Sequence, residues 1–203
     1  MGLHYLFSTV FDCLFPPQGE ALLVQNFSNE DLAKLYTPKY YESIQVLSEY
    51  RNKNVQALIH EAKFHHNTRA WSHLHILLAM HFSKISEPVD YVIPIPLSHA
   101  RLRARGYNQV SEILKAHPIE SAYPILENIL VRTRHTKPQT ELKRNERLTN
   151  MHDAFGVVHG ERITGKNILL IDDVTTTGTT LKTAKATLLP YSPASVTCLA
   201  FAH

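Results

Sequence analysis

Two adjacent acids, Asp172 and Asp173, follow the apolar run Ile168-Leu-Leu-Ile171 and precede a threonine-rich turn, Thr175, Thr176, Thr177, Gly178, Thr179 and Thr180. An apolar run this short reads as a buried strand of a parallel sheet, although periodicity alone does not separate it from a helix. The Ala- and Lys-rich segment that follows to Leu189 has helical spacing. The order is therefore strand, tight polar loop, helix. A helix start presents backbone N–H groups without intrahelical partners, and an anion is favoured there. Gly178 has no Cβ, so the backbone can approach a phosphate closely. The threonines add uncharged hydroxyl donors. The carboxylates would repel that same phosphate; they suit sugar hydroxyls or a cation bound to the phosphate. The bland alternative is an ordinary strand-to-helix turn with a threonine-rich cap. Neither Gly-x-x-x-x-Gly-Lys-Ser/Thr nor Gly-x-Gly-x-x-Gly occurs in the chain, which excludes the ATP-type and dinucleotide-type loops.

A chain of 203 residues supports one substantial domain, or one domain with an appended subdomain. The net charge of +3, with 13 histidines able to raise it in mild acid, weakly favours anionic ligands. It is not in itself a nucleic-acid footprint, which needs clustered basic residues. Cys13 and Cys198 are the only cysteines. They exclude a disulfide framework and a tetrathiolate zinc site, and a reduced, cytoplasmic protein is expected. No apolar stretch approaches the ~20 residues of a membrane helix. No Lys or Arg precedes the first apolar residues, so neither a secretory signal nor membrane insertion is expected.

Residues 3–15 carry Leu3, Leu6, Phe7, Val10, Phe11 and Leu14 at helical spacing, stopped by Pro16-Pro17. A helix packed on the body of the protein is expected. Residues 18–40 read as loop-rich, with one short capped helix from Ser28 to Leu35. Residues 41–49 alternate as a strand. Helices are expected from Asn54, with Val55, Leu58, Ile59 and Ala62 on one face, and over Trp71 to Phe82. The region between Asn54 and Phe82 holds six histidines, His60, His65, His66, His73, His75 and His81. Their spacing fits no zinc-protease pattern, so solvated or hydrogen-bonded histidines are expected. Lys63 lies between the two helices, where it can point at an anionic ligand. Tyr91 to Ile93 reads as a strand ended by Pro94 and Pro96. Arg101, Arg103 and Arg105 then alternate beside a loop closed by Gly106, and guanidiniums so placed suit a pyrophosphate; a solvated basic turn is the alternative. A helix through Val110, Ile113 and Leu114 follows, and strands are expected at Leu126–Val131, Phe155–Val158 and Val196–Ala200. Residues 132–147 are basic and poor in core residues. They read as a loop, with a helix starting near Thr140, that could serve as a water-excluding lid.

Three of these segments resemble the ComF/GntX family of phosphoribosyltransferase-like proteins: residues 90–109, ending in Arg-Gly-Tyr-Asn-Gln; residues 137–150, beginning Lys-Pro-Gln; and the loop at 168–181. Residues 49–64 resemble that family's helix before the core. Members often carry a Cys-x-x-Cys zinc module after a Phe-Pro-Pro. Here Phe15-Pro-Pro17 is present, but Gly19 and Leu22 stand where those cysteines are expected. No zinc is therefore expected. Residues 1–40 are assigned to a mostly helical segment replacing the module, and 41–203 to the phosphoribosyltransferase-like domain.

The resemblance implies an α/β fold, a doubly wound parallel sheet of the type I phosphoribosyltransferase kind, with ligand at the carboxyl ends of the strands. It implies phosphoribosyl pyrophosphate (PRPP) with Mg2+, the metal being held through PRPP near Asp172 and Asp173 rather than by protein side chains alone. The two acids would face the ribose as catalytic groups. Thr175, Thr176, Thr177, Gly178, Thr179 and Thr180 would hold the 5-phosphate. Arg101, Arg105 and Lys63 would face the pyrophosphate, and Lys137, Gln139, Arg144 and Arg147 would belong to the lid at 133–147. The expected activity is transfer of a phosphoribosyl group to an unknown acceptor, linked to DNA uptake in natural competence. The alternative is a non-catalytic competence factor that binds single-stranded DNA or a helicase. A third reading is a degenerate phosphate sensor.

Overall fold

The computed structural model describes residues 19–116, 123–133 and 154–203. The helix expected at 3–15, the helix near Thr140 and the lid residues Lys137, Gln139, Arg144 and Arg147 lie outside them.

The chain enters through two short helices, α1 (Glu20–Gln25) and α2 (Asn29–Leu35). Ser28 starts α2 with a capping box: its hydroxyl accepts from the Asp31 N–H, and the Asp31 carboxylate accepts from the Ser28 N–H. The region expected to be loop-rich is thus mostly helical. Val24, Leu32 and Leu35 join the same core as the later helices.

Five strands form the main sheet: β1 (Lys39–Tyr41), β2 (Ile44–Ser48), β3 (Tyr91–Pro94), β6 (Asn167–Val174) and β7 (Ser195–Ala202). Their spatial order is β1-β2-β7-β6-β3, with β1 antiparallel to β2 and every other pair parallel. The boundary placed at 40/41 therefore falls inside β1. A separate antiparallel ribbon joins β4 (Leu130–Arg132) to β5 (Phe155–Val157). The strand expected at Leu126–Val131 is shorter than its sequence suggests. Ile125 makes an isolated parallel bridge to Val92, and the Leu126 N–H bonds the Val92 carbonyl at 2.9 Å, so this stretch extends the edge beside β3 before the ribbon begins.

Alternation along the parallel strands divides the interior into two cores. Leu169, Ile171, Leu199 and Phe201 face α3 (Lys53–Phe64), α4 (Thr68–Phe82) and α6 (Gln109–Lys115). Ile168, Leu170, Cys198 and Ala200 face α7 (Thr179–Leu188) and the ribbon. Helices cover both faces of a sheet that is mostly parallel, which is the doubly wound α/β arrangement.

The basic stretch after β3 differs from its expectation. Residues His99–Arg105 form a helix, α5, not a loop; Ser98 caps it and Gly106 ends it at φ 84°. Three of the six histidines are anchored individually to other elements. His73 bonds the Val24 carbonyl at 3.0 Å, His75 the Ile113 carbonyl at 3.0 Å, and His81 bonds Gln45 and Tyr36 at 2.8 and 3.2 Å. Among the described residues no helix is long and apolar enough to cross a membrane.

Candidate active site

Strand β6 continues past its apolar run, so Asp172 and Asp173 are its last residues but one, not the start of a loop. In a strand their side chains leave on opposite sides. Asp173 turns toward α3 and α6. Its Oδ1 lies 3.0 Å from Lys63 Nζ and accepts from the Val174 N–H at 2.5 Å, while its Oδ2 accepts from the Gln109 amide. Gln109 in turn accepts from the Arg105 guanidinium. A chain of contacts thus runs from α5 through α6 to the strand end. Asp172 faces the other way, into the field of Arg132. Arg132 is held by the Pro96 carbonyl at 3.1 Å and stacks over Phe155 at 4.3 Å.

Asp172 is half-buried at the cleft, and the partial loss of water around its carboxyl, with the Asp173 charge beside it, acts against ionisation. Together they push its carboxyl up to about 7, although the Asp173 N–H, bonded at 2.8 Å, and the Lys63 and Arg132 charges pull against them. Burial likewise draws the Arg105 and Arg132 guanidiniums below their ordinary range, but an arginine stays cationic at neutral pH.

Gly178 precedes α7 at φ 71°, and no side chain caps this helix. The N–H groups of its first turn are left open at the cleft rim. Gly178 is also packed: a Cβ there would sit 2.6 Å from Ile44 Cδ1. Glycine is therefore required by backbone conformation and by the neighbouring strand together.

A cleft of about 710 Å3 at the carboxyl ends of β3 and β6 collects Asp172, Asp173, Lys63, Arg101, Arg105, Thr176 and Thr180. Arg101 and Arg105 are one helical turn apart on α5 and share a face; Arg103 does not line the cleft. The other loop residues are differently engaged. Thr175 is buried and its N–H bonds the Ala202 carbonyl at 2.9 Å, which removes that donor from any phosphate. The Thr177 and Thr179 hydroxyls bond each other at 2.7 Å.

Sequence reasoning missed three features of the cleft. Gln109 bridges arginine and aspartate, and its place in Arg-Gly-Tyr-Asn-Gln was the available signal. Arg132 opens the basic segment 132–147, and the lid reading of that segment gives it no place in the cleft. Phe64, His66 and Tyr107 assemble an aromatic wall beside Arg105, which sits 5.2 Å over the Phe64 ring. His66 and Tyr107 meet edge to face at 4.8 Å, with Trp71 behind them.

The phosphoribosyl transferase domain family matches residues 109–203. Competence protein F of Haemophilus influenzae is 37% identical over 93 residues, 45% of this chain and 41% of that protein. Competence protein ComFC of Bacillus subtilis is 36% identical over 109 residues, 53% of this chain and 42% of that protein. The DNA utilization protein YhgH of Escherichia coli O157:H7 is 28% identical over 169 residues, 80% of this chain and 72% of that protein. The chain spans about two fifths of the length of the first two relatives. With the acid pair at the end of a parallel strand and an uncapped helix after it, these likenesses support the ComF family and a phosphoribosyltransferase-like domain for this chain.

Proposed function

We propose that the cleft binds PRPP with Mg2+ and transfers its phosphoribosyl group to an acceptor, in a role linked to DNA uptake. One observation carries the reading: an acid pair, an uncapped helix start and four cations, Lys63, Arg101, Arg105 and Arg132, meet in one cleft. A ligand with a sugar between two phosphate groups matches that division of charge. Thr176, Thr180 and the first-turn N–H groups of α7 would hold the 5-phosphate. Arg101 and Arg105 would take the pyrophosphate, bidentate where geometry allows. Asp172 and Asp173 would face the ribose.

The residues present fit Mg2+. The ion takes oxygen donors, keeps several waters and is commonly shared with substrate phosphates, and Asp172 and Asp173 bring carboxylate oxygens to the cleft. When bound, Mg2+ supplies charge neutralisation at the pyrophosphate. In the reaction a nucleophile on the acceptor forms a bond to the anomeric carbon. The bond to the pyrophosphate oxygen breaks, and its electron pair leaves with pyrophosphate. The arginines stabilise the departing charge and the carboxylates favour the positive ring of an oxocarbenium-like transition state. No protein nucleophile is needed.

Calorimetric titration with PRPP, with and without Mg2+, tests this. Tight binding that depends on Mg2+ and vanishes in Asp173→Asn, with unchanged far-UV circular dichroism, is expected. Equal affinity in wild type and Asp173→Asn would remove the acids from the site.

A second reading, a non-catalytic factor for single-stranded DNA, is favoured by the aromatic wall beside Arg105, because bases stack on such rings. It predicts oligonucleotide binding with a steep salt dependence and no pyrophosphate release with any acceptor. A competence helicase as partner belongs to the same reading.

A further inference from the structure

The carboxyl end of α3 carries a second set of donors that do not line the cleft. One ring nitrogen each of His60 and His65 and one carboxylate oxygen of Glu61 lie within 4.8 Å of one another. Glu61 is buried, at 5% exposure, whereas the two imidazoles are half exposed. Among the described residues, the buried carboxylate accepts a hydrogen bond at one oxygen. Its Oε2 accepts from Asn67 Nδ2 at 2.9 Å, and Asn67 is itself fixed as the cap of α4, accepting from the Arg69 and Ala70 N–H groups. Its Oε1 faces His65 Nε2 at 3.9 Å, beyond hydrogen-bond reach. His60 is oriented from α1: its Nδ1 meets Glu20 Oε2 at 2.8 Å. A helix carboxyl end also favours a cation.

We propose that His60, Glu61 and His65 form a mononuclear site for a borderline divalent ion of the Zn2+ class, with water completing the shell and Glu20 as a positioning residue. Two imidazoles and one carboxylate select such an ion over Mg2+, which wants oxygens alone. Bonds of ~2.1 Å place donors roughly 3.4 Å apart around zinc, so small side-chain rotations of two exposed imidazoles close the site. The outer contacts are of the kind that tune ligands: Asn67 on the carboxylate and Glu20 on the imidazole. The spacing of these residues fits no zinc-protease motif, and the orienting carboxylate comes from a different helix. The ion would pin α1 to the α3–α4 corner, whose next residues, Lys63, Phe64 and His66, line the cleft.

The test uses the full chain, stripped with chelator and titrated with Zn2+ by calorimetry and with Co2+ by visible absorption; the readout is metal alone, independent of any PRPP binding. One ion per chain is expected, with the Co2+ spectrum of a four-coordinate site. His60→Ala, His65→Ala and Glu61→Gln should each weaken binding at least ~10-fold, Glu20→Gln by ~10-fold or less, and His159→Ala not at all. Circular dichroism of the two histidine variants, altered at half-exposed positions, should match wild type. Absence of Zn2+ binding, or binding left unchanged in the His60→Ala/His65→Ala double variant, overturns the site.

Discussion

Lys63 Nζ sits 3.0 Å from Asp173 Oδ1, with both side chains largely shielded from water. Helix α3 is thereby tied to the end of β6, and a cation already occupies the carboxylate that the proposed sugar would meet. Entry of the proposed ligand would let Lys63 exchange Asp173 for an anionic oxygen. Lys63→Met should therefore lower PRPP affinity by about 10-fold and reduce stability by about 2 kcal/mol. The loss stays below the ~3–5 kcal/mol of a fully buried pair because Gln109 and the Val174 N–H still hold the carboxylate. Calorimetry and urea unfolding read the two effects; unchanged unfolding would show the pair to be unformed in solution.

Asp172 makes the free protein sensitive to pH in an unusual direction. Its carboxyl is raised from the ordinary value to about 7, so between about pH 4 and 7 the folded state binds more protons than the unfolded state. Stability from this group is full below the unfolded pKa and is lost as pH rises toward the folded one, by roughly 1.4 kcal/mol per unit at most. Asp172→Asn should flatten that slope, and be more stable than wild type at pH 8 by urea unfolding. The proposed Mg2+-dependent PRPP binding would need the ionised carboxylate, and should tighten as pH rises through 7 in wild type.

Gly178→Ala combines a left-handed backbone with a clash at Ile44 Cδ1. A loss of about 2–3 kcal/mol is expected. Ile44→Val in the same chain should restore the packing share and leave roughly 1 kcal/mol of backbone strain. A double-mutant cycle by urea unfolding measures the coupling.

The arginines of α5 should not be equivalent. Arg101→Ala, at the cleft, should weaken PRPP binding by about 10-fold, whereas Arg103→Ala, on the other side of the helix, should leave it within twofold. Equal losses would mean that α5 contributes general positive charge rather than placed donors.

The strand, turn and helix around Asp172 were legible because three signals agree there: a buried run, a glycine at the turn and helical spacing after it. Helix α5 was not, because none of its residues is buried. A helix with no apolar face has no periodicity to read, and alternating arginines then look like a loop. Helix α1 was hidden similarly, with only Val24 buried in six residues. The acids, Lys63, Arg101 and Arg105 could be proposed from charge and resemblance. The bridge through Gln109 could not, since a neutral amide becomes informative only when a carboxylate and a guanidinium flank it. The wall of Phe64, His66 and Tyr107 required the α3–α4 corner to meet the turn after α5, where Tyr107 donates to the Ala62 carbonyl at 3.1 Å and accepts from the His66 N–H at 3.2 Å.

The two carboxylates grow from a strand braced by neighbours on both flanks, whereas the facing positive groups sit on helices and a small ribbon outside the sheet. On the proposed reading, exchanges on those outer pieces would retune which anion is welcomed without disturbing the acid end. A lineage built on this scaffold is thus free to change cargo by redecorating its periphery, and members with intact acids need not share one partner molecule.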